Sequence, residues 1–396
     1  MTRTLRRFCV LLAAAALTPA CSDKEEPGYT PPETAAQTHL MYMPWSGNLT
    51  SYFRTNIEDM ARVVAEGIPA DVRVLVYFME SPDEASLFEL YRRGGRCERL
   101  TLRTYDPAPD FTAAEGIASV LGDVKREAPA LRYSMSIGSH GMAWLPAVSS
   151  VPGRAAAPAR REYWEHAAPD RPLTRWFGGT SPDHRTEIAT LAEALARTGL
   201  HMEYILFDDC YMSSVEVAYE LRGVTDYLIG STSEIMAYGF PYASAGRHML
   251  GEVDYEGICD AFHAFYSSYT YPYGTIGVTR CAGLEKLADI MRRINAAPKK
   301  SYAEELQSYE GMSSHIFSDL GDYVRRLCSD DDALLAEFEK QLDATVPWHR
   351  HTEEYYSMAN GVNPIRTFSG ITTSDPSADP EAAIDRQQTA WWRATY

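Results

Sequence analysis

Two short strings in the 396-residue chain carry side chains able to do covalent chemistry. The first runs from Tyr133 through Gly138-Ser139-His140-Gly141 to Trp144; an apolar strand pattern stops there and His140 stands where the chain leaves it. The second is Tyr204-Ile-Leu-Phe-Asp208-Asp209-Cys210, a strand pattern that ends on Cys210. A thiol is a poor nucleophile at neutral pH until a cationic neighbour or a helix N-terminus favours the thiolate. His140 can polarise the thiol and protonate a leaving amine. Ser213 with Glu216 three places on is a capping-box pattern and predicts a helix starting just after Cys210. The amides of Gly141 and Cys210 are candidates for an oxyanion hole, and a glycine at 141 lets a substrate come close. Position alone leaves a plainer alternative, with His140 a turn residue and Cys210 a small buried hydrophobe.

The surrounding elements must bring the two strings together. Strand patterns cover His39–Met43, Val72–Met79, Glu98–Tyr105, Tyr133–Ser139, Tyr204–Asp208, Tyr227–Ser231 and Thr275–Thr279. Helical patterns cover Ser51–Glu66, Ala85–Arg93, Thr112–Glu127, Arg185–Thr198, Ser213–Arg222, Tyr255–Ser268 and Gly283–Ala296. This alternation predicts an α/β fold with a mostly parallel sheet covered on both faces. Ligands of such sheets bind beyond the carboxyl ends of the strands, so His140 and Cys210 share an edge if their strands are neighbours. After about residue 300 the pattern turns more helical (Tyr302–Tyr309, Asp319–Cys328, Asp332–Ala344) and reads as a C-terminal extension of the same domain, which spans 39–396.

The chain opens with a basic start, an apolar run from Phe8 to Leu17, and Thr18-Pro19-Ala20-Cys21. That run is too short to span a bilayer and reads as an export signal over 1–20. A small residue followed by Cys resembles a bacterial lipoprotein signal, which implies lipidation of Cys21; the alternative is a plain secretory signal. Residues 21–38 then form a tether with Pro27, Pro31 and Pro32. Its acidic Ser22-Asp23-Lys24-Glu25-Glu26 resembles the surface-export tract of some Bacteroidetes lipoproteins, or is a solvated spacer. The expected location is the bacterial cell envelope, lipid-anchored at the outer membrane, with secretion if Cys21 carries no lipid.

There are 37 basic and 54 acidic residues, a net charge of −17. This argues against a nucleic-acid partner, which would need phosphate contacts. Cys97, Cys259, Cys281 and Cys328 read as buried hydrophobes, and no CxxC pair suggests zinc. Asp330-Asp331-Asp332 reads as a solvated helix start. No metal or cofactor is expected, and the chain is expected to be a monomer.

Taken together, Ser139-His140-Gly141 with Trp144, and Phe207-Asp208-Asp209-Cys210-Tyr211-Met212 running into Val215–Leu221, resemble the clostripain family of cysteine peptidases, in the caspase–gingipain–legumain superfamily. Met41–Met43 with Asn48-Leu49 is similar to the family's opening strand and turn. Asp226–Glu234 with Gly239–Tyr242 is similar to its strand and loop after the catalytic helix, and Ser318–Asp322 to a later helix. The resemblance implies a caspase-like three-layer α/β/α sandwich with a helical C-terminal extension. It implies a His140–Cys210 dyad with Gly141 and Cys210 as oxyanion hole. It also implies protein or peptide substrates cut after Arg or Lys, with Asp208 lining the pocket and Glu234 as a second acidic wall. Residues 145–182, rich in Pro and Arg, gain a meaning from it: maturation by cleavage near Arg154, Arg160 or Arg161. The competing expectation is a catalytically silent surface lipoprotein of this fold acting as a binding module.

Overall fold

The near-continuous apolar runs become the middle of a nine-stranded sheet, because a strand covered by helices on both sides has no polar face to present. The computed structural model describes residues 29–146, 186–297, 305–311, 314–328, 330–380 and 382–396. All of these except residues 29 and 30 belong to one compact unit, Pro31–Tyr396. Its strands are β1 (Ala35–Met43), β2 (Val72–Met79), β3 (Ala85–Arg93), β4 (Arg96–Tyr105), β5 (Ala130–Gly138), β6 (Met202–Asp208), β7 (Thr225–Gly230) and β8 (Thr275–Arg280). A short β9 (Ser318–Asp319) pairs outside this sheet with Thr372–Thr373, and β10 (Trp348–His351) completes the sheet. The order is β10-β8-β7-β6-β5-β1-β2-β3-β4. Five central strands, β2-β1-β5-β6-β7, run parallel, and both edges are antiparallel.

The helices are α1 (Thr50–Glu66), α2 (Ala114–Glu127), α3 (Ile188–Thr198), α4 (Val215–Leu221), α5 (Tyr242–Met249), α6 (Tyr255–Ser268) and α7 (Leu284–Ala296). One layer packs α1 with α5 and α5 with α6; another packs α2 with α3 and α3 with α4. The expected three-layer sandwich with a mostly parallel sheet is therefore what forms. Among the described residues no helix is long and apolar enough to cross a membrane.

Two helical expectations are corrected. Ala85–Arg93 is strand β3, joined to β4 by Gly94-Gly95, both at positive φ (58° and 75°). Adjacent residues at positive φ suit a two-residue hairpin turn, and glycine adopts them without strain. The helix-forming Glu89 is kept in the strand by tertiary contact: Arg73 of β2 donates Nε to Glu89 Oε1 (2.9 Å) and Nη2 to Oε2 (2.6 Å), both side chains buried. A two-pronged bond of this kind outweighs the few tenths of a kcal/mol at stake in local propensity. In the expected helix Tyr302–Tyr309, the described residues 305–309 are not helical, and Ser308 bridges to Ser318 instead. Asp331 does start a helix (Asp332–Thr345), its side chain accepting the Leu334 N–H at 3.0 Å.

Two polar features fix the centre of the sheet. His39 of β1 is fully buried among Ser134 (3.0 Å), Ser136 (3.3 Å) and the Tyr204 hydroxyl (3.2 Å), and burial pushes its pKa down to about 3. The imidazole is thus a neutral hydrogen-bonding wedge between three strands. The C-terminal residues, in turn, are fastened to the end of β6. Thr372 N–H donates to Ser213 O (2.9 Å), Ser213 Oγ to Gly370 O (2.7 Å), and Trp144 Nε1 to Ser374 Oγ (2.8 Å). Gly277 in β8 leaves room for this segment: a β-carbon there would lie 1.9 Å from Gly370 O.

Candidate active site

Strands β5 and β6 are parallel neighbours, and Gly138 pairs with Asp208 at their carboxyl ends. His140 lies two residues past Gly138, and Cys210 two residues past Asp208. Equal steps beyond a register pair bring the two candidate residues to the same sheet edge. Gly141 shows how close the loops come. A β-carbon there would sit 2.3 Å from Cys210 O, 2.8 Å from Asp209 Cβ and 2.9 Å from Cys210 N. Only glycine lets one backbone rest on the other at such distances.

Asp209 ties these two loops. Its nearly fully buried carboxylate accepts the Ser139 backbone N–H on Oδ1 and the Ser139 hydroxyl on Oδ2 (3.2 Å). Charge-assisted bonds of this type are roughly twice as strong as neutral ones. Each loop also holds a non-glycine residue in the left-handed region, Ala143 (φ 51°) and Tyr211 (φ 62°). Such a conformation costs roughly 1–2 kcal/mol and persists where the surroundings over-determine it. At Tyr211 they do. Its N–H donates to Ser233 O (3.1 Å), its hydroxyl to Glu234 Oε1 (3.1 Å), and its ring stacks on Phe317 at 4.9 Å.

The thiol of Cys210 is enclosed, with a relative exposure of 0%. Its Sγ accepts the Ile235 N–H at 3.3 Å. The expected help from a helix N-terminus is corrected here. Helix α4 starts only at Val215 with Ser214 as its first cap residue, and the Ser213–Glu216 capping box does not form. Glu216 turns instead toward the C-terminal segment, accepting from Ser374 N–H (2.7 Å), Thr373 Oγ1 (3.1 Å) and Ser214 Oγ (2.5 Å). Burial nevertheless raises its pKa.

His140 Nε2 lies 2.9 Å from the side-chain oxygen of Asn48, in the turn between β1 and α1. An amide oxygen only accepts, so Nε2 carries the proton in this bond. Beside the imidazole a cavity of about 100 Å³ opens, lined by apolar residues such as Trp45, Phe111, Ile137 and Met142, with Asp209 and Glu187 among its polar members.

Asp208 points to the other face of the sheet, as alternation along a strand requires. It is fully buried, and its Oδ1 accepts the Phe240 N–H at 2.6 Å. This holds the 231–241 loop against the end of β6. Glu234, in that loop, is also fully buried and accepts Met358 N–H (2.8 Å) as well as the Tyr211 hydroxyl. Cys21, Arg154, Arg160 and Arg161 lie outside the described residues. Among the described residues, no disulfide joins Cys97, Cys210, Cys259, Cys281 and Cys328. No group of three or more His, Cys, Asp or Glu side chains there is arranged to hold a metal ion. Sequence reading quoted Asn48 and Asp209 only as letters in motifs. Their partners lie 92 and 70 residues away, and no local signal marks such pairings.

Known proteins resemble this chain in sequence and fold. The profile of the clostripain family matches residues 164–357. A secreted C11 cysteine protease from Bacteroides thetaiotaomicron is 48% identical over 92% of this chain and 100% of its own, with a TM-score of 0.82. A clostripain from the same species, solved in complex with the peptide inhibitor BTN-VLTK-AOMK, is 54% identical over 56% of this chain and 99% of its own, with a TM-score of 0.53. An inactive zymogen C11 protease from Parabacteroides distasonis is 27% identical over 93% of this chain and 100% of its own, with a TM-score of 0.75. No curated protein matches the chain.

Proposed function

The chain belongs to the clostripain family and is a cysteine-type peptidase, and from that premise we propose that it cleaves peptide bonds after Arg or Lys with a His140–Cys210 dyad. The observation that carries this is the contact of Gly141 with the Cys210 backbone at the ends of two paired parallel strands. Cys210 gives its thiol proton to His140, and Sγ attacks the scissile carbonyl, forming the S–C bond as the C=O electron pair moves to oxygen. The amides of Gly141 and Cys210 receive that oxyanion. The C–N bond then breaks as His140 gives its proton to the leaving amine, and water hydrolyses the thioester.

Asp208 is the pocket acid in this reading, because a buried carboxylate rewards a guanidinium or ammonium with a charge-assisted bond. The inhibitor held by the Bacteroides thetaiotaomicron relative, VLTK, ends in lysine, which supports a basic preference. We assign Glu234, tied to Tyr211 and Met358, to holding the strained turn after Cys210 rather than to the substrate. Because Cys210 is closed to solvent, a peptide reaches it only after neighbouring chain moves. Cleavage after Arg154, Arg160 or Arg161 is the activation step we propose.

Fluorogenic peptides with Arg, Lys, Asp, Asn or Ala before the scissile bond test this, assayed before and after limited trypsin treatment. Arg and Lys peptides are expected to be turned over, and Asp208→Asn is expected to lower their kcat/KM by roughly 100-fold, the loss of about one charged pair. Equal turnover of the Ala peptide would remove the basic specificity. No turnover even after nicking would favour the silent binding module, which the enclosed thiol also fits.

We also propose that residues 1–20 are removed and that lipid on Cys21 holds the mature protein to the outer membrane. In cell fractionation Cys21→Ala is expected to move the protein from the membrane pellet to the soluble fraction; an unchanged pellet would reject the anchor.

A further inference from the structure

We propose that Asn48 is a positioning residue for His140, fixing which ring nitrogen handles the proton. This rests on the dyad reading above. Three consecutive strands of the sheet, β1, β5 and β6, deliver Asn48, His140 and Cys210 from their carboxyl ends. Asn48 is solvent-exposed, yet its turn is anchored on every side. Leu49 is buried in the core, and its N–H donates to Ser46 O (3.3 Å). Thr50 Oγ1 donates to Gly47 O (3.0 Å), and Trp45 N–H donates to Met79 Sδ (3.3 Å). Gly47 sits at φ 58°, so the turn itself calls for glycine. The amide is therefore presented from a rigid base, which is what a group that orients a catalytic side chain needs.

With the Nε2 proton given to Asn48 Oδ1, the opposite ring nitrogen, Nδ1, is the one that takes a proton and passes it to the leaving amine. An amide sets this orientation without adding charge. A carboxylate in its place would stabilise the imidazolium as well, and the ring would hold its proton to higher pH. Among the described residues, the other titratable groups lining the cavity beside His140 are Tyr42, Glu187 and Asp209; Cys210 stands on the adjoining loop.

The test compares Asn48→Ala and Asn48→Asp with wild type on the best peptide substrate, with kcat, KM and pH profile measured separately. Asn48→Ala is expected to lower kcat roughly 10-fold with KM within about two-fold, the signature of a lost orientation rather than lost binding. Asn48→Asp, nearly isosteric, is expected to keep kcat within a few-fold and to shift the alkaline limb of the profile upward by about one pH unit. A role in folding alone would move neither the limb nor the kcat-to-KM split. An unshifted limb in Asn48→Asp, or an unchanged kcat in Asn48→Ala, would overturn the proposal. His140→Ala separates the two readings. If it is inactive while both Asn48 variants behave as wild type, only the positioning role fails. If it retains full turnover, the dyad itself fails.

Discussion

Cys210→Ala is expected to lower kcat/KM on any cleaved peptide by roughly 10,000-fold or more, because the sulfur proposed to form the acyl bond is gone. The fold should survive the change. The side chain is fully buried, and alanine removes one sulfur without adding volume. The Ile235 N–H that now donates to Sγ loses its acceptor, at a cost of about 1–3 kcal/mol, visible as a lowered Tm but not as unfolding. Cys210→Ser is the stricter control, since it keeps an acceptor at nearly the same place but replaces the nucleophile with a hydroxyl of far higher pKa. Alkylation provides a second readout. Burial pushes the thiols of Cys259 and Cys281 up to about 12 and that of Cys97 up to about 11, so none of these is an anion at neutral pH. An iodoacetamide-type probe should therefore label Cys210 in preference to these three once the site is open. Turnover that persists in Cys210→Ala, or labelling spread evenly over the thiols, would reject the dyad.

Gly141→Ala is expected to be nearly as damaging, although a methyl group is all it adds. The new carbon would lie 2.3 Å from Cys210 O and 2.9 Å from Cys210 N, where backbone rather than a flexible side chain must give way. The β5 and β6 loops would be driven apart, and a shift of about 1 Å between reacting groups costs on the order of 100-fold in kcat. Overpacking here should also cost about 1–3 kcal/mol of stability. Gly122→Ala serves as the internal control. That glycine lies in helix α2 with nothing within 4 Å of the added carbon, so the change should leave kcat alone and raise stability by up to about 1 kcal/mol. Wild-type kcat in Gly141→Ala would mean that the two loops need not touch for catalysis.

The central strands and most helices were legible because their signal is local. Val72–Met79 is apolar at every position but Arg73 and buried at every position. The failures occurred where local preference met a distant partner. Ala85–Arg93 carries helix formers, but its hairpin glycines and the Arg73–Glu89 pair hold it in the sheet. Ser213 and Glu216 have capping-box spacing, but Gly370, Thr373 and Ser374 claim their side chains first. Those partners are about 157 residues away, beyond any window that a helix signal samples.

By itself the sequence determined the α/β alternation, the two strand ends that carry His140 and Cys210, and, through family resemblance, the kinship with cysteine peptidases. Each of these depends on residues close together in the chain, or on a motif short enough to recognise. Only the tertiary structure decided that the two loops rest on each other through Gly141, that Asp209 clamps Ser139, that Asn48 meets the imidazole, and that the thiol is closed to solvent. The physical reason is the sheet order β1-β5-β6. It places side by side loops separated by 70 to 92 residues, and hydrogen bonds and close contacts depend on distance in space, not on distance along the chain.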